Sequence, residues 1–248
     1  MKLNSRFQKE SLLMKPIIGF NRHLEMDWLV QTASWSANGI HGQALKNKID
    51  SLLAPSFDSK VAQDKTRNLL FGIWDSDSKS VPKAFHSDAC KLLIEHSEIN
   101  IAIHWGMMLV KYPFFYNIVI QIGRMTKHEG LFIYNQLEQR ITESYGDTST
   151  IKRCMQFVVR TLINLELLSN PKSGTYQLRK SIKIKHDNVI AWLTEVSVRA
   201  QGNSSKSMSA IINDPAWFPF DINFNENRLS SNIRLDVHHQ ANDAIIFL

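Results

Sequence analysis

From Leu24 onward, the apolar positions of this 248-residue chain recur at helical spacing. Met26, Leu29, Val30, Ala33 and Trp35 form a first stripe, ended by Asn38-Gly39. Leu45, Ile49, Leu52 and Leu53 form a second, from Gln43 to Pro55, and Val61, Leu69, Leu70, Ile73 and Trp74 a third, opened by Ser59. DSDSKSVP, residues 75–82, reads as a linker, and a fourth helix is predicted over about Ala84 to His96. Residues 99–110 and 113–125 are almost continuously apolar and predict two buried helices, with Pro113 in the first turn of the second. His104 lies inside the first of these and is expected to be a hydrogen-bonded core histidine. Before Leu24, residues 1–23 read as an arm docked through Leu12, Leu13, Ile17 and Ile18.

Beyond Met125 the pattern changes. Leu131 to Ile133 predicts a short extended piece and Asn135 to Tyr145 a short helix, with Leu137 and Ile141 inward. Gly146-Asp147 turns the chain, and Asp147, Thr148 or Ser149 is placed to cap a third helix. There Ile151, Met155, Val158, Leu162 and Leu165 follow a 4-3-4-3 spacing, the signature of one buried face. LELL then enters a strand, Pro171-Lys172-Ser173-Gly174 makes a turn, and TYQL returns. Helix, strand, helix, turn, helix, hairpin is the order of a winged helix-turn-helix.

Charge sharpens this reading. The chain carries +6, and residues 101–190 alone hold twelve Lys and Arg against six acids. Residues 148–185 contain eight Lys and Arg and, as acid, only Glu166. Such clustering points to a polyanion. Ser149, Thr150, Lys152, Arg153, Gln156 and Arg160 fall mainly on the outward side of the third helix, where a recognition helix meets base edges. Lys172 at the hairpin tip, followed by Arg179, Lys180, Lys183 and Lys185, is placed to neutralise phosphates.

Other chemistry finds little support. No Gly-rich phosphate loop, no nucleophile elbow and no Glu-x-Lys nuclease core occurs in the sequence, so neither catalysis nor a cofactor is expected. Cys90 and Cys154 are too few for a disulfide framework or a Cys-rich zinc site, and read as reduced thiols. Asp236, His238 and His239 suggest a metal cluster, but adjacent residues of a strand point to opposite faces, so no metal is expected there. No apolar run approaches the roughly 18 residues that span a bilayer, and the N-terminus does not read as a signal peptide. A cytoplasmic location is expected.

KYPFFYNIVIQIGR (111–124) and DTSTIKRCMQFVVRTLINLELL (147–168) also carry a resemblance. The Tyr112-Pro113-Phe114 helix start, the Ser149-Thr150 opening, Arg153 and the closing Leu167-Leu168 resemble the A-type accessory proteins of bacteriophage-exclusion (BREX) defence systems. A helix opened by Ser59, with Thr66-Arg67 inside it, is similar in architecture, so the resemblance covers about residues 26–170. It implies a small helical cytoplasmic protein that binds DNA.

The sequence therefore predicts a mainly α (α+β) protein in four parts: an arm (1–23), a helical domain (24–98), a winged helix-turn-helix (99–190) and a C-terminal helix with short strands (191–248). The expected function is non-catalytic binding of double-stranded DNA, as an accessory or targeting subunit of an anti-phage defence or DNA-processing complex. The partners are then duplex DNA, other subunits and a possible second copy of the chain, with no membrane. The alternatives are a dimeric transcriptional regulator and an adaptor whose winged helix contacts only protein. The aromatic group Trp217, Phe218 and Phe220 is expected to pack on the chain's own body.

Overall fold

The computed structural model describes residues 18–76, 81–240 and 243–248. The docking expected of Leu12, Leu13 and Ile17, and the middle of the expected linker, residues 77–80, lie outside them. The protein is mainly α (α+β), with ten α-helices and eight short strands among the described residues. Four helices come first: α1 (Met26–Ala37), α2 (Gly42–Leu53), α3 (Lys60–Trp74) and α4 (Lys83–Glu95). The apolar pair α5 (Asn100–Lys111) and α6 (Pro113–Thr126) follows. Next come β1 (Leu131–Ile133), α7 (Tyr134–Tyr145), α8 (Ser149–Asn164), β2 (Leu168–Lys172), β3 (Thr175–Leu178) and β4 (Ile182–Ile184). The chain closes with α9 (Asp187–Arg199), β5 (Ser205–Ser207), α10 (Met208–Ile212), β6 (Phe220–Ile222), β7 (Asp236–Gln240) and β8 (Asp243–Phe247).

Each predicted helix from Met26 to Asn164 is present within a few residues, because its stripe has a core to face. Buried residues from Phe20 and α1 through β8 form one apolar cluster, so the described parts of the chain share one core. Three small sheets flank it. β1, β3 and β2 are antiparallel in the order β1-β3-β2, β4 runs parallel to β6, and β8 lies between β5 and β7.

At the centre lies α9, buried on every side from Val189 to Val198. Trp192 stacks on Phe85 at 4.9 Å, and its indole N–H donates to the Phe85 carbonyl at 3.3 Å. The helix approaches α5 closely at Gly106, where an added Cβ would lie 2.5 Å from the Trp192 ring. Glu195, fully buried on the same helix, accepts bonds from Arg234 (2.7 Å), Asn232 (2.7 Å) and Arg199 (2.7 Å). Burial alone would raise its pKa; these donors outweigh that cost and hold the carboxyl below its usual range.

The C-terminal segment closes over this helix and over α6. Trp105 donates to the Ala216 carbonyl at 3.2 Å and meets the rings of Phe218 and Phe220 edge-on, both at 5.7 Å. The expected packing of these aromatics on the chain's own body is therefore present. Lys206 and Asp214 form a buried ion pair at 2.6 Å, and the Tyr116 hydroxyl donates to the same carboxylate at 2.9 Å. A Cβ on Gly123 of α6 would lie 2.0 Å from the Pro215 carbonyl oxygen, so backbone meets backbone there. Gly123→Ala should destabilise the fold by about 3 kcal/mol, the upper range of overpacking costs. Urea unfolding checks this, and Gly130→Ala, which meets nothing within 4 Å but sits at φ 66°, gives the cost of backbone strain alone.

His104 corrects one detail of the sequence reading. It is fully buried, as expected, and meets Trp74 edge-on at 5.2 Å, but neither ring nitrogen has a hydrogen-bond partner. A cavity of about 160 Å³, lined in part by Val30, Ala33 and Asn100, adjoins it. Burial lowers its pKa from 6.5 to about 3. Protons therefore bind the unfolded chain first, and stability falls as pH drops from 6.5 towards 3. At pH 5 the loss from this group should be on the order of 2 kcal/mol, at about 1.4 kcal/mol per unit. Burial lowers His86 as well. The expected result is thus a shallower acid slope in His104→Leu, measured by urea midpoints between pH 7 and 5, not its disappearance.

Candidate nucleic-acid interface

Helix α8 is built to hold one face rigid and present the other. Thr148 caps it, accepting from the Ile151 N–H at 3.3 Å. Ile151, Cys154, Met155, Val158, Val159, Thr161 and Leu162 are buried. At the far end, the Leu167 N–H bonds the Leu162 carbonyl and the Glu166 N–H that of Ile163, both at 2.9 Å. That pair of bonds is a Schellman stop with Glu166 in the left-handed position (φ 58°) usually given to glycine.

Eleven residues were expected to meet DNA, and the structure sorts them into groups. Ser149, Thr150, Arg153, Gln156 and Arg160 are exposed along the outward face of α8. Lys152 is turned aside: its ammonium lies 2.8 Å from Asp147 and 3.2 Å from Glu138 of α7. Hydrogen bonds to these two carboxylates raise its pKa. It is a paired cation rather than the free one its position suggested.

Lys172 is exposed at the tip of the β2–β3 hairpin. Asn170 braces the tip by donating to the Thr175 carbonyl (2.9 Å), and the Gly174 carbonyl receives the N–H of Tyr134, the first residue of α7 (2.9 Å). Arg179 and Lys180 are exposed elsewhere, in a groove beside Leu165 and Glu166 at the C-terminal end of α8. Sixteen residues of helix, about 24 Å, separate that end from Ser149. Lys183 and Lys185 are exposed on and just beyond β4, Lys183 within 3.9 Å of Asp221.

The structure also brings in cations that the sequence reading missed. Residues 22–25 run along α8: Leu24 N–H donates to the Thr161 hydroxyl (3.0 Å), and the Asn164 amide donates to the Leu24 carbonyl (3.1 Å) and to Glu25 (2.8 Å). This docking sets the Arg22 guanidinium 5.3 Å from the centre of the Phe157 ring, with that of Arg153 5.8 Å from the same centre. Burial lowers the Arg22 pKa, and repulsion from Arg153 adds to the shift. His23 is held below its ordinary value by burial, then by Arg160 and Arg22. Lys65 of α3 is a further cation close enough to be felt at Cys154. Among the described residues, no carboxylate lies within 4.0 Å of Arg22, Arg153 or Arg160. No sequence signal pairs Arg22 with a helix 130 residues away; only the docked chain does.

The Asp236, His238 and His239 group behaves as strand alternation requires. His238 pairs with Asp236 at 2.8 Å, whereas His239 faces Glu226 at 3.7 Å.

Comparisons with protein-family models, with curated proteins and with solved structures return no match.

Proposed function

We propose that the chain is a non-catalytic double-stranded DNA-binding protein that uses α7, α8 and the β2–β3 hairpin as a winged helix-turn-helix. The observation that carries the reading is the outward face of α8. It presents Arg153, Gln156 and Arg160, joined by Arg22, with no carboxylate of the described residues within 4.0 Å of the three guanidinium groups and on a helix locked by its opposite face; Glu25 is the acid that feels Arg160. A helix about 10–12 Å across fits the major groove, and guanidinium groups suit both phosphate and guanine edges. The sheet order β1-β3-β2, with the hairpin next to the third helix of the unit, supports the same reading. The role as an accessory subunit of a cytoplasmic defence or DNA-processing complex rests on the resemblance in residues 111–124 and 147–168.

Fluorescence anisotropy with a labelled duplex tests this. The expected result is weak sequence preference, with a Kd on the order of 10⁻⁶ M near 100 mM salt that rises steeply as salt is added. Arg153→Ala should weaken binding by about 1–3 kcal/mol if it makes a bidentate base contact, and alter any sequence preference. Lys180→Ala with Lys183→Ala should weaken all sequences alike, and by less than Arg22→Ala with Arg160→Ala, because those lysines lie away from the α8 face. All five side chains lie off the buried stripe, so circular dichroism should be unchanged. Absence of binding at low salt, or variants of the α8 face that bind like the parent, would refute the proposal.

A further inference from the structure

Far from Ser149 in sequence, His96, Glu98 and His186 bring one ligand atom each to within 4.8 Å of one another. His96 follows the last turn of α4, Glu98 lies in the 3-10 turn Ser97–Ile99, and His186 is the N-cap of α9. The two imidazole rings lie 4.1 Å apart, and the His186 Nε2 is 3.2 Å from Glu98 Oε1.

The neighbours fix which nitrogen of His96 is bare. Asn188 donates its amide Nδ2 to Glu95 (3.1 Å), and its Oδ1 accepts the Val189 N–H (3.0 Å). That orientation makes Oδ1 an acceptor towards His96 Nε2 at 3.1 Å, so Nε2 carries the proton. In the neutral ring Nδ1 is the nitrogen that faces Glu98 Oε1, at 3.9 Å. Two imidazoles and a carboxylate, with one ligand atom each in so small a space, are the donor set a transition ion takes. A ring N–H given to a side-chain oxygen is also how metal-binding histidines are oriented.

We propose that His96 Nδ1, Glu98 and His186 bind one divalent transition ion of the zinc class. Two imidazoles select zinc over calcium or magnesium. Tetrahedral coordination at about 2.0–2.1 Å needs donors roughly 3.3 Å apart. Reaching that spacing requires only side-chain rotation at Glu98 and His186, which are 59% and 43% exposed. The fourth position faces solvent and takes water. Because the ligands come from the end of α4 and the start of α9, the ion clamps the central helix to the N-terminal helices. This inference is independent of DNA binding.

The test is calorimetric titration of the chelator-treated full chain with ZnCl₂, followed by Co²⁺ absorption spectroscopy. One equivalent should bind, cobalt should give the intense visible bands of a tetrahedral site, and the thermal midpoint should rise by several degrees. His186→Ala and Glu98→Gln, both at exposed positions, should each weaken zinc at least tenfold while the metal-free protein stays folded. His238→Ala with His239→Ala should leave binding unchanged. No saturable binding, binding that survives His186→Ala, or binding lost with the His238 and His239 pair would overturn the assignment.

Discussion

A helix that is buried on all sides has no edge to give to solvent, and α9 imposes that constraint on the whole molecule. Ten of its thirteen residues are buried, so α4 and α5 must cover one side and residues 200–248 much of the other. Glu195 makes the enclosure specific. A buried carboxylate without partners is prohibitively costly, and its donors come from α9 itself and from residues 232–234. Any closure that misplaced Arg234 would leave that charge uncompensated, so a single docking of the tail is selected.

The same core gives α8 its character. A surface helix with a narrow apolar stripe can rock on its support, but α8 is gripped along its length by Ile151, Met155, Val158 and Leu162. Residues 22–25 fasten its flank through side-chain to backbone bonds at Thr161 and Asn164. Arg153 and Arg160 are therefore held on a rigid base. Adjacent residues of a helix point about 100° apart, and Lys152 and Arg153 show the consequence. One closes an ion pair with the acids of α7, and the other faces outward beside Arg22.

Periodicity made most of the fold legible. The helical stripes from Met26 to Leu162 face the core except at Val61, which is exposed in the first turn of its helix, and β1 and β3 lie where the sequence placed them, because these are local consequences of spacing and turn chemistry. The second strand lies later than expected: Leu165 to Leu167 form the stop of α8, and β2 runs from Leu168 through Pro171 and Lys172, leaving Ser173-Gly174 as the turn. The mainly α class followed from the helical stripes. Charge count was less informative about the site, since it cannot distinguish a cation paired by its neighbours, such as Lys152, from one left open, such as Arg160. Nor does it show that Arg179 and Lys180 lie at the opposite end of α8 from Ser149. Arg22 on Phe157 and His96 beside His186 were invisible for a different reason. Each is a contact between segments some 90 to 135 residues apart, and no local pattern encodes it.

Two surface regions share an electrostatic logic of opposite sign. At α8, Arg22 and Arg153 are drawn to one aromatic ring despite their mutual repulsion, while Glu138 and Asp147 are engaged with Lys152. Cation–π attraction of about 0.5–1 kcal/mol offsets part of that repulsion, and an anion would remove the rest. At the start of α9, Asn188 orients the His96 ring beside Glu98 and His186, gathering three donor groups. The first arrangement leaves like-signed groups together at a surface, and the second gathers side chains from distant parts of the chain. What keeps them together is docking imposed from outside the site: residues 22–25 on α8 in the first case, and the α4 to α9 contact in the second. The α8 face is preorganised in this way, so an anion meets charges already assembled there and need not itself supply the cost of gathering them.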